Sequence, residues 1–550
     1  MMERKYKDLT SPADLKSHDT GTGPDRQQRP DYVDLLPPCN HACPAGENIQ
    51  AWLALAQDKK FEEAWQVIIE DNPMPAVMGR ACYHPCEDGC NRTFIDSPVS
   101  IHAIERFLGD EAIRKNWKVE FDKKPGGKRV LVVGAGPSGL STAYHLTRLG
   151  HSVEIHEAGP IAGGMMHFGI PAYRLPRSIL DHEVERILAM GVKIVLDHKV
   201  ENVLKEKKAG GFDAVFIAVG AHLSKKIDIP GMDTGKFLDA IAFLKQVEEG
   251  EKPKIGRRVA IYGGGNTAMD AARTAKRMGA TEATIIYRRD QKHMPAHEFE
   301  AEEALEEGVK INWLRTIKAM DEEAFTVEVM RLEEGRPVPT GQFETLEADT
   351  LILAVGQDTD TGFLKNVPGI GFNKDGTVIV GPDMMTGHEG IFAGGDMVPS
   401  QRSVTVAIGH GKKAARHIDG FLRSASYNKP PKHPIVGHER LQLWYNTTAP
   451  QKEQASLSVQ KRIESFDEIK AGLSEEEALF ESQRCLSCGN CFECDGCYAA
   501  CPEDAIIKLG AGNRYEYDFD RCTGCAICYE QCPCHAIEMI PEPKNLRLCP

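Results

Sequence analysis

The chain is 550 residues long, 41% apolar, and carries a formal net charge of −14. That is room for roughly three or four ordinary domains, while an acidic balance with no basic stripe excludes a nucleic-acid surface. No apolar run approaches the ~20 residues of a membrane span, and residues 1–30 lack the apolar stretch of a secretory signal, so a cytoplasmic protein is expected.

In chain order, residues 1–30 are polar with little to bury, and read as an arm that is mobile or held by a partner. From 31 to 124 the pattern is helical: Trp52, Leu53, Leu55 and Ala56, then Phe61, Ala64, Trp65, Ile68 and Ile69, recur at helical spacing. Loops bearing cysteines, 39–44 and 82–90, flank these helices, and Pro125–Gly127 is a linker. Val130–Val133 then has the composition of a buried parallel strand, followed by Gly134-Ala-Gly136-Pro-Ser-Gly139 and an amphipathic helix to Leu149. A second strand, Ser152–His156, ends on Glu157. Gly134 makes the tight turn, Gly136 lets backbone approach a pyrophosphate, and Gly139 lets helix pack on strand. The helix N-terminus favours phosphate, and Glu157 is placed to bond a ribose. A dinucleotide binds here.

The loop that follows, rich in glycine and proline and including Gly164, must run close to something flat. Helix Ile179–Met190, strand Lys193–Leu196 and the glycine-ended strand Phe212–Gly220 come next. A second dinucleotide unit begins at Arg258, with Gly263-Gly-Gly265-Asn266-Thr267-Ala268 as its phosphate cradle, a helix to Met278 and a strand Ala283–Tyr287. Where the first unit has Glu157, this one has Arg288-Arg289. Arginine suits a 2′-phosphate and so NADP(H); NAD(H), with the arginines on a solvated loop, is the alternative. The strand Thr350–Val355, ending in Gly356, is similar to Phe212–Gly220, so one domain is inserted in another. The expected boundaries are 125–225 and 350–425 for the outer domain and 226–349 for the inserted one. This arrangement resembles the two-dinucleotide, disulfide-reductase-like flavoproteins. The resemblance implies FAD in the outer domain and a nicotinamide cofactor in the inner one. It also puts Asp396 at the ribityl–phosphate region and aims the N-terminus of helix Ser403–Ile418 at the flavin ring.

Seventeen cysteines fall in two groups, one between Cys39 and Cys90 and the other between Cys485 and Cys549. Disulfides suit small secreted domains, so metal ligation is the better reading. Cys491-x2-Cys494-x2-Cys497-x3-Cys501-Pro and Cys522-x2-Cys525-x2-Cys528-x3-Cys532-Pro are two bacterial ferredoxin runs. In such a pair three cysteines hold one [4Fe–4S] cube and the fourth serves the other. The sets are then Cys491, Cys494, Cys497 and Cys532, and Cys522, Cys525, Cys528 and Cys501; a zinc ribbon would want two C-x2-C pairs instead. The N-terminal wording, PPCNHACPAG with GRACYHPCEDGCNR and IHAIERF, resembles the cluster domain of the glutamate synthase small subunit and of dihydropyrimidine dehydrogenase. That resemblance runs over roughly 32–425 and implies a cluster on Cys43, Cys82, Cys86 and Glu105, with a helix-surface charge as the alternative for Glu105. The relatives' other cluster adds a Cys-x2-Cys pair to the equivalents of Cys39 and Cys90, but Asp34–Pro38 holds no cysteine. Cys485 and Cys488 are a pair beyond what the ferredoxin runs need. We therefore expect a fourth cube shared by Cys39, Cys90, Cys485 and Cys488. The alternatives are completion by a second copy of the chain, or a single cube on the N-terminal cysteines. Cys534 and Cys549 are left as ordinary thiols.

The expected fold class is α/β, a two-dinucleotide flavoprotein with a helical Fe–S domain at one end, a linker at 426–484 and a ferredoxin-like domain at 485–550. The expected function is electron transfer between NAD(P)H and a partner through FAD and several [4Fe–4S] clusters, four expected and three at minimum, with no catalytic side chain beyond the cofactors. The partner would be a larger Fe–S oxidoreductase subunit or a ferredoxin, giving a hetero-oligomer with no nucleic acid and no membrane. Two alternatives stand beside it: a glutamate-synthase-type small subunit with a ferredoxin extension, and a cluster-bearing docking subunit without nicotinamide chemistry.

Overall fold

In the computed structural model, which describes residues 26–122, 127–225, 227–230, 237–320 and 324–543, two parallel sheets form the middle of the molecule. The first has the strand order Ile391–Ala393, Ala214–Ile217, Arg129–Val133, Ser152–His156, Lys193–Val195. Its central strand is apolar and buried from Val130 on, as a parallel strand covered on both faces must be. Helices Pro137–Arg148 and Val404–Leu422 pack together over it. The second sheet runs Lys310–Trp313, Glu282–Tyr287, Arg258–Tyr262, Thr350–Leu353, Phe237–Asp239, and a three-stranded antiparallel sheet over Arg315–Glu347 flanks it.

The insertion expected from sequence is thus present, with one boundary corrected. Thr350–Leu353 does not rejoin the outer domain; it pairs with Arg258–Tyr262 inside the inserted sheet. The chain crosses back only afterwards, where Gln357–Asp358 pairs antiparallel with Leu223–Ser224. Thr350–Leu353 and Ala214–Ile217 are both buried and apolar and lead to a glycine, so the sequence pattern alone does not say which sheet takes which.

The N-terminal helices Ile49–Gln57, Phe61–Ile69, Pro75–Ala81 and Ile101–Lys115 do not stand apart. Trp52, Trp65 and Ile68 are fully buried in one core that continues through the flavin-side sheet. At Gly109 an added Cβ would lie 2.3 Å from the Ala76 backbone, which is how closely Pro75–Ala81 meets Ile101–Lys115.

Two further corrections concern the ends. The polar arm was expected to reach residue 30, but Gln28–Tyr32 is a strand pairing antiparallel with Ile537–Pro541. Arg26 anchors it by an ion pair to Glu542 at 2.7 Å and by donating to the carbonyls of Phe519 and Cys522. The rest of the arm lies outside the described residues. The segment 426–484, expected as a linker, is a strap held down along its length. Ile469 N–H donates to the Tyr173 carbonyl at 3.0 Å, Arg462 pairs with Glu306 at 2.8 Å, and Ala478, Glu481 and Ser482 are fully buried. Helix Glu475–Gln483 starts at a Ser474/Glu477 capping box, an arrangement worth about 1 kcal/mol.

Candidate cofactor sites

A cavity of about 850 Å³ lies between the two parallel sheets. Gly134, Gly136, Glu157, Gly164 and Asp396 line it from the first sheet, and Asn266 and Thr267 from the second. Gly134 has φ +103, and a Cβ there would sit 2.5 Å from the Ala218 carbonyl oxygen, so no side chain fits. A Cβ on Gly136 would meet nothing within 4 Å, which leaves its backbone open to a ligand at the N-terminus of helix Pro137–Arg148. Glu157 is fixed by the glycine turn and by its own loop: Oε2 accepts from Ala135 N–H at 2.6 Å and Oε1 from Gly159 N–H at 2.8 Å. Each oxygen keeps a lone pair for a ribose hydroxyl. Asp396 sits in a short turn before the long helix, and burial pushes its carboxyl up to about 6, opposed by the Arg402 guanidinium. The first turn of Val404–Leu422 borders the same cavity through Ser403, Val404 and Ala407.

In the second unit Gly263 has φ +152 with the Ala354 carbonyl 2.2 Å from its would-be Cβ, while Gly265 faces open space. Asn266 donates to the Tyr83 hydroxyl at 2.5 Å and accepts from His297 N–H at 3.0 Å. Arg288 is exposed just past strand Glu282–Tyr287 and Arg289 half-buried beside it, its Nε without a hydrogen-bond partner. Neither lines the main cavity. Arg174 ties the two domains together, pairing with Asp270 at 2.8 Å and with Glu300.

The cysteines gather in fours. Burial pushes the Cys39 thiol far above its usual range, and the next causes are the thiols of Cys485, Cys90 and Cys488. Asn91 donates to Cys488 Sγ at 3.5 Å, and Arg484 is buried among the Asp96 carboxylate and the carbonyls of Ser97, Pro98 and Ala449. Those contacts hold the C-terminal pair against the N-terminal domain of the same chain.

A second group is Cys43, Cys82, Cys86 and Glu105. Burial raises all three thiols, Cys82 to about 12, with Glu105 the next cause there and Cys82 and Cys43 acting on Cys86. Glu105 is itself buried, its carboxyl raised by burial and then by Glu47, and it accepts from Asn72 Nδ2 at 2.7 Å. In the ferredoxin-like module, burial raises Cys497, with Cys491, Cys532 and Cys494 as thiol neighbours. Cys501, Cys522, Cys525 and Cys528 line a small enclosed space beside Ile506. A single zinc ion on four thiolates would bring sulfurs to roughly 3.8 Å of one another, from its ~2.3 Å bonds. Among the described residues no three cysteine sulfurs lie within 4.8 Å of one another. Converging thiols too widely spread for one ion fit a polynuclear cluster.

Three neighbours of these groups were not assigned to them from the sequence. Thr405 Oγ1 donates to Cys82 Sγ at 3.1 Å and sits in the helix turn that borders the cavity. Tyr83, next in chain to Cys82, lines the cavity and stacks on His297 with ring centres 3.6 Å apart. Cys534, read as an ordinary thiol, is buried with its sulfur 3.8 Å from that of Cys532. An aromatic residue beside a ligand cysteine was a visible cue for Tyr83; nothing in the local sequence marks Thr405. Cys549 lies outside the described residues.

Comparison with known proteins identifies the domains. The family described as pyridine nucleotide-disulphide oxidoreductase matches residues 128–411. The domain described as dihydropyrimidine dehydrogenase domain II, 4Fe-4S cluster, matches 35–117, and a 4Fe-4S binding domain matches 515–538. The chain is 35% identical to the NADP(+)-dependent formate dehydrogenase subunit beta of Moorella thermoacetica, over 82% of this chain and 70% of the relative. It is 34% identical to the NADPH-Fe(3+) oxidoreductase subunit beta of Geobacter sulfurreducens, over 82% of this chain and 75% of the relative. The glutamate synthase [NADPH] small chain of Escherichia coli is 32% identical over 70% of this chain and 89% of its own. No helix among the described residues is long and apolar enough to cross a membrane.

Proposed function

The chain belongs to the pyridine nucleotide-disulphide oxidoreductase family, and we propose that it is the NADPH-side subunit of a larger oxidoreductase, passing electrons through its own clusters to a ferredoxin-type partner. FAD held here would supply hydride acceptance from nicotinamide and release of single electrons, and iron–sulfur clusters would supply the relay. What this chain contributes is placement. Gly134, Gly136, Gly139, Gly164 and the helix N-terminus at Pro137 would hold the FAD pyrophosphate, Glu157 its ribose and Asp396 its ribityl side. Gly263, Gly265, Asn266 and Thr267 would hold the nicotinamide nucleotide, and Arg288 with Arg289 its 2′-phosphate. Tyr83 and the Arg174–Asp270 pair line the space between the domains.

The observation that carries the reading is the gathering of Cys39 and Cys90 with Cys485 and Cys488. It supports a shared cluster between the flavin side and the ferredoxin-like module within one chain. The same gathering favours an electron-transfer subunit over a glutamate-synthase-type small chain, to which 70% of the present chain is matched.

Anaerobically reconstituted protein should hold about sixteen irons, four cubes at four each, and reduce a one-electron dye with NADPH. Cys485→Ser/Cys488→Ser should lower iron to about twelve while the flavin content stays the same. Twelve irons in both proteins would refute the shared cluster. Affinity capture from the native host would identify the partner subunit.

A further inference from the structure

His156, His198 and Glu206 meet at the outer wall of the main cavity, their ligand atoms all within 4.8 Å of one another. They come from three segments: the end of strand Ser152–His156, the turn after Lys193–Val195, and helix Val203–Gly210. His156 is only 7% exposed, and its Nε2 lies 3.0 Å from Glu154 Oε1. A carboxylate accepts, so Nε2 carries the proton, and in the neutral imidazole, the form that binds a metal, Nδ1 is left as a lone pair. That Nδ1 is buried with no hydrogen-bond partner, and 3.9 Å away is Glu206 Oε2. His198 Nε2 reaches the other Glu206 oxygen at 3.3 Å.

In that neutral form two acceptors, a buried imidazole lone pair and a carboxylate, face each other across 3.9 Å. Leaving a buried nitrogen unsatisfied is costly, and a cation placed there would answer both groups. We propose that this is a binding site for one divalent transition-metal ion of zinc's class, held by His156 Nδ1, His198 and Glu206. Two imidazoles with one carboxylate is a zinc ligand set that leaves a coordination position open, and imidazole nitrogen disfavours calcium or magnesium. The His156–Glu154 contact is the outer carboxylate that orients a metal-bound histidine. His198 and Glu206 are 39% and 28% exposed, so an ion can enter from solvent.

The other close group, His84, Glu87 and His102, lacks this signature. His102 Nδ1 already meets Glu87 at 2.8 Å and its Nε2 meets Gln454 at 3.2 Å. In the proposed site the bound ion joins three segments next to Glu157, and His156 and His198 line the cavity. It acts as a clip on the wall that holds the nucleotide, separate from the electron path.

The test uses full-length holoprotein with iron and flavin contents measured, so that the cluster cysteines are occupied. After chelator treatment and gel filtration, the protein is dialysed against micromolar zinc sulfate and bound zinc is measured by mass spectrometry. About one equivalent per chain is expected, lost in His198→Ala and in Glu206→Gln at unchanged iron. Glu154→Gln should weaken zinc binding roughly 10–100-fold. X-ray absorption at the zinc edge, taken on the unmutated protein, should show a nitrogen and oxygen shell with two imidazoles, whatever the folding of the variants. No retained zinc in the unmutated protein, equal zinc in the His198 and Glu206 variants, or sulfur in the first shell would each overturn the site.

Discussion

Thr405→Val is the substitution that most directly probes the link between the cavity and the cluster proposed on Cys82. Thr405 is 4% exposed, and its hydroxyl donates to Cys82 Sγ at 3.1 Å. Valine keeps the side chain's branching and removes only the donor. A hydrogen bond to a charged acceptor contributes about 1.5–3 kcal/mol, and it favours the reduced, more negative cluster over the oxidised one. If the difference between the two states is ~1 kcal/mol of that, the one-electron conversion gives a fall in potential of about 40 mV. The second donor to the same sulfur, the backbone N–H of His84 at 3.2 Å, is untouched and keeps the shift from being larger. The assay is a redox titration followed by electron paramagnetic resonance, with the flavin potential read optically in the same sample. A cluster potential that stays put or rises would refute the reasoning. Equal shifts in cluster and flavin would mean that the helix Val404–Leu422 had moved.

Other expectations concern the nucleotide sites. Glu157→Ala removes the fixed acid at the cavity wall, and FAD should bind roughly 10–100-fold more weakly, about one charge-assisted hydrogen bond, with iron unchanged in the same preparation. Arg288→Ala should raise the KM for NADPH roughly tenfold, on the scale of one bond to a phosphate, and leave the KM for NADH where it was; equal changes with both would remove the 2′-phosphate role. Asp396, raised by burial to about 6, binds its proton more tightly in the folded than in the unfolded chain. Its contribution to the stability of flavin-free protein is therefore full below the ordinary aspartate range and is lost as pH rises through about 6. Asp396→Asn should flatten that slope in a denaturant series from pH 4.5 to 7.5.

Much of this fold was legible because two strong local codes recur. The strand–glycine–helix units at Val130–Gly139 and Val259–Ala268 are contiguous, and each states its own topology. The ferredoxin runs likewise carry their spacing within a dozen residues. The boundary near 350 was not legible, since Thr350–Leu353 and Ala214–Ile217 are equally apolar and only their partners differ. The Thr405–Cys82 contact spans most of the chain, and a threonine in a helix has no local reason to be read as a sulfur's donor. The orphaned Nδ1 of His156 is invisible in sequence for the same reason, because it is defined by what does not reach it.

The strap at 426–484 shows what the local codes leave out. Its residues have no motif, and a polar stretch between two domains reads naturally as a linker. Yet it must carry Cys485 and Cys488 to Cys39 and Cys90, and doing so requires an ordered path. Arg484 supplies the endpoint, buried beside Asp96 and bonded to Glu481 at 2.8 Å. At the far end, Gln28–Tyr32 completes the sheet of the C-terminal module, so the chain's two ends close on each other twice. The helical domain's outer cysteines are thus not finished until the last hundred residues have folded against them. Contacts of such sequence separation are slow to form, and thiols held open meanwhile are exposed to oxidation. Cutting the chain near residue 425 should therefore strip the N-terminal domain of one cluster as well as removing the two in the ferredoxin-like module. The residue that commits the strap is Arg484: replacing it by alanine leaves Glu481 buried without its cation, while Asp96 keeps its pair with Arg92, a change on the scale of 3–5 kcal/mol. About four irons should be lost with it, though no ligand has been touched. Iron retained in full by Arg484→Ala would show that the cysteines themselves, and not the strap, determine the joining of the two ends.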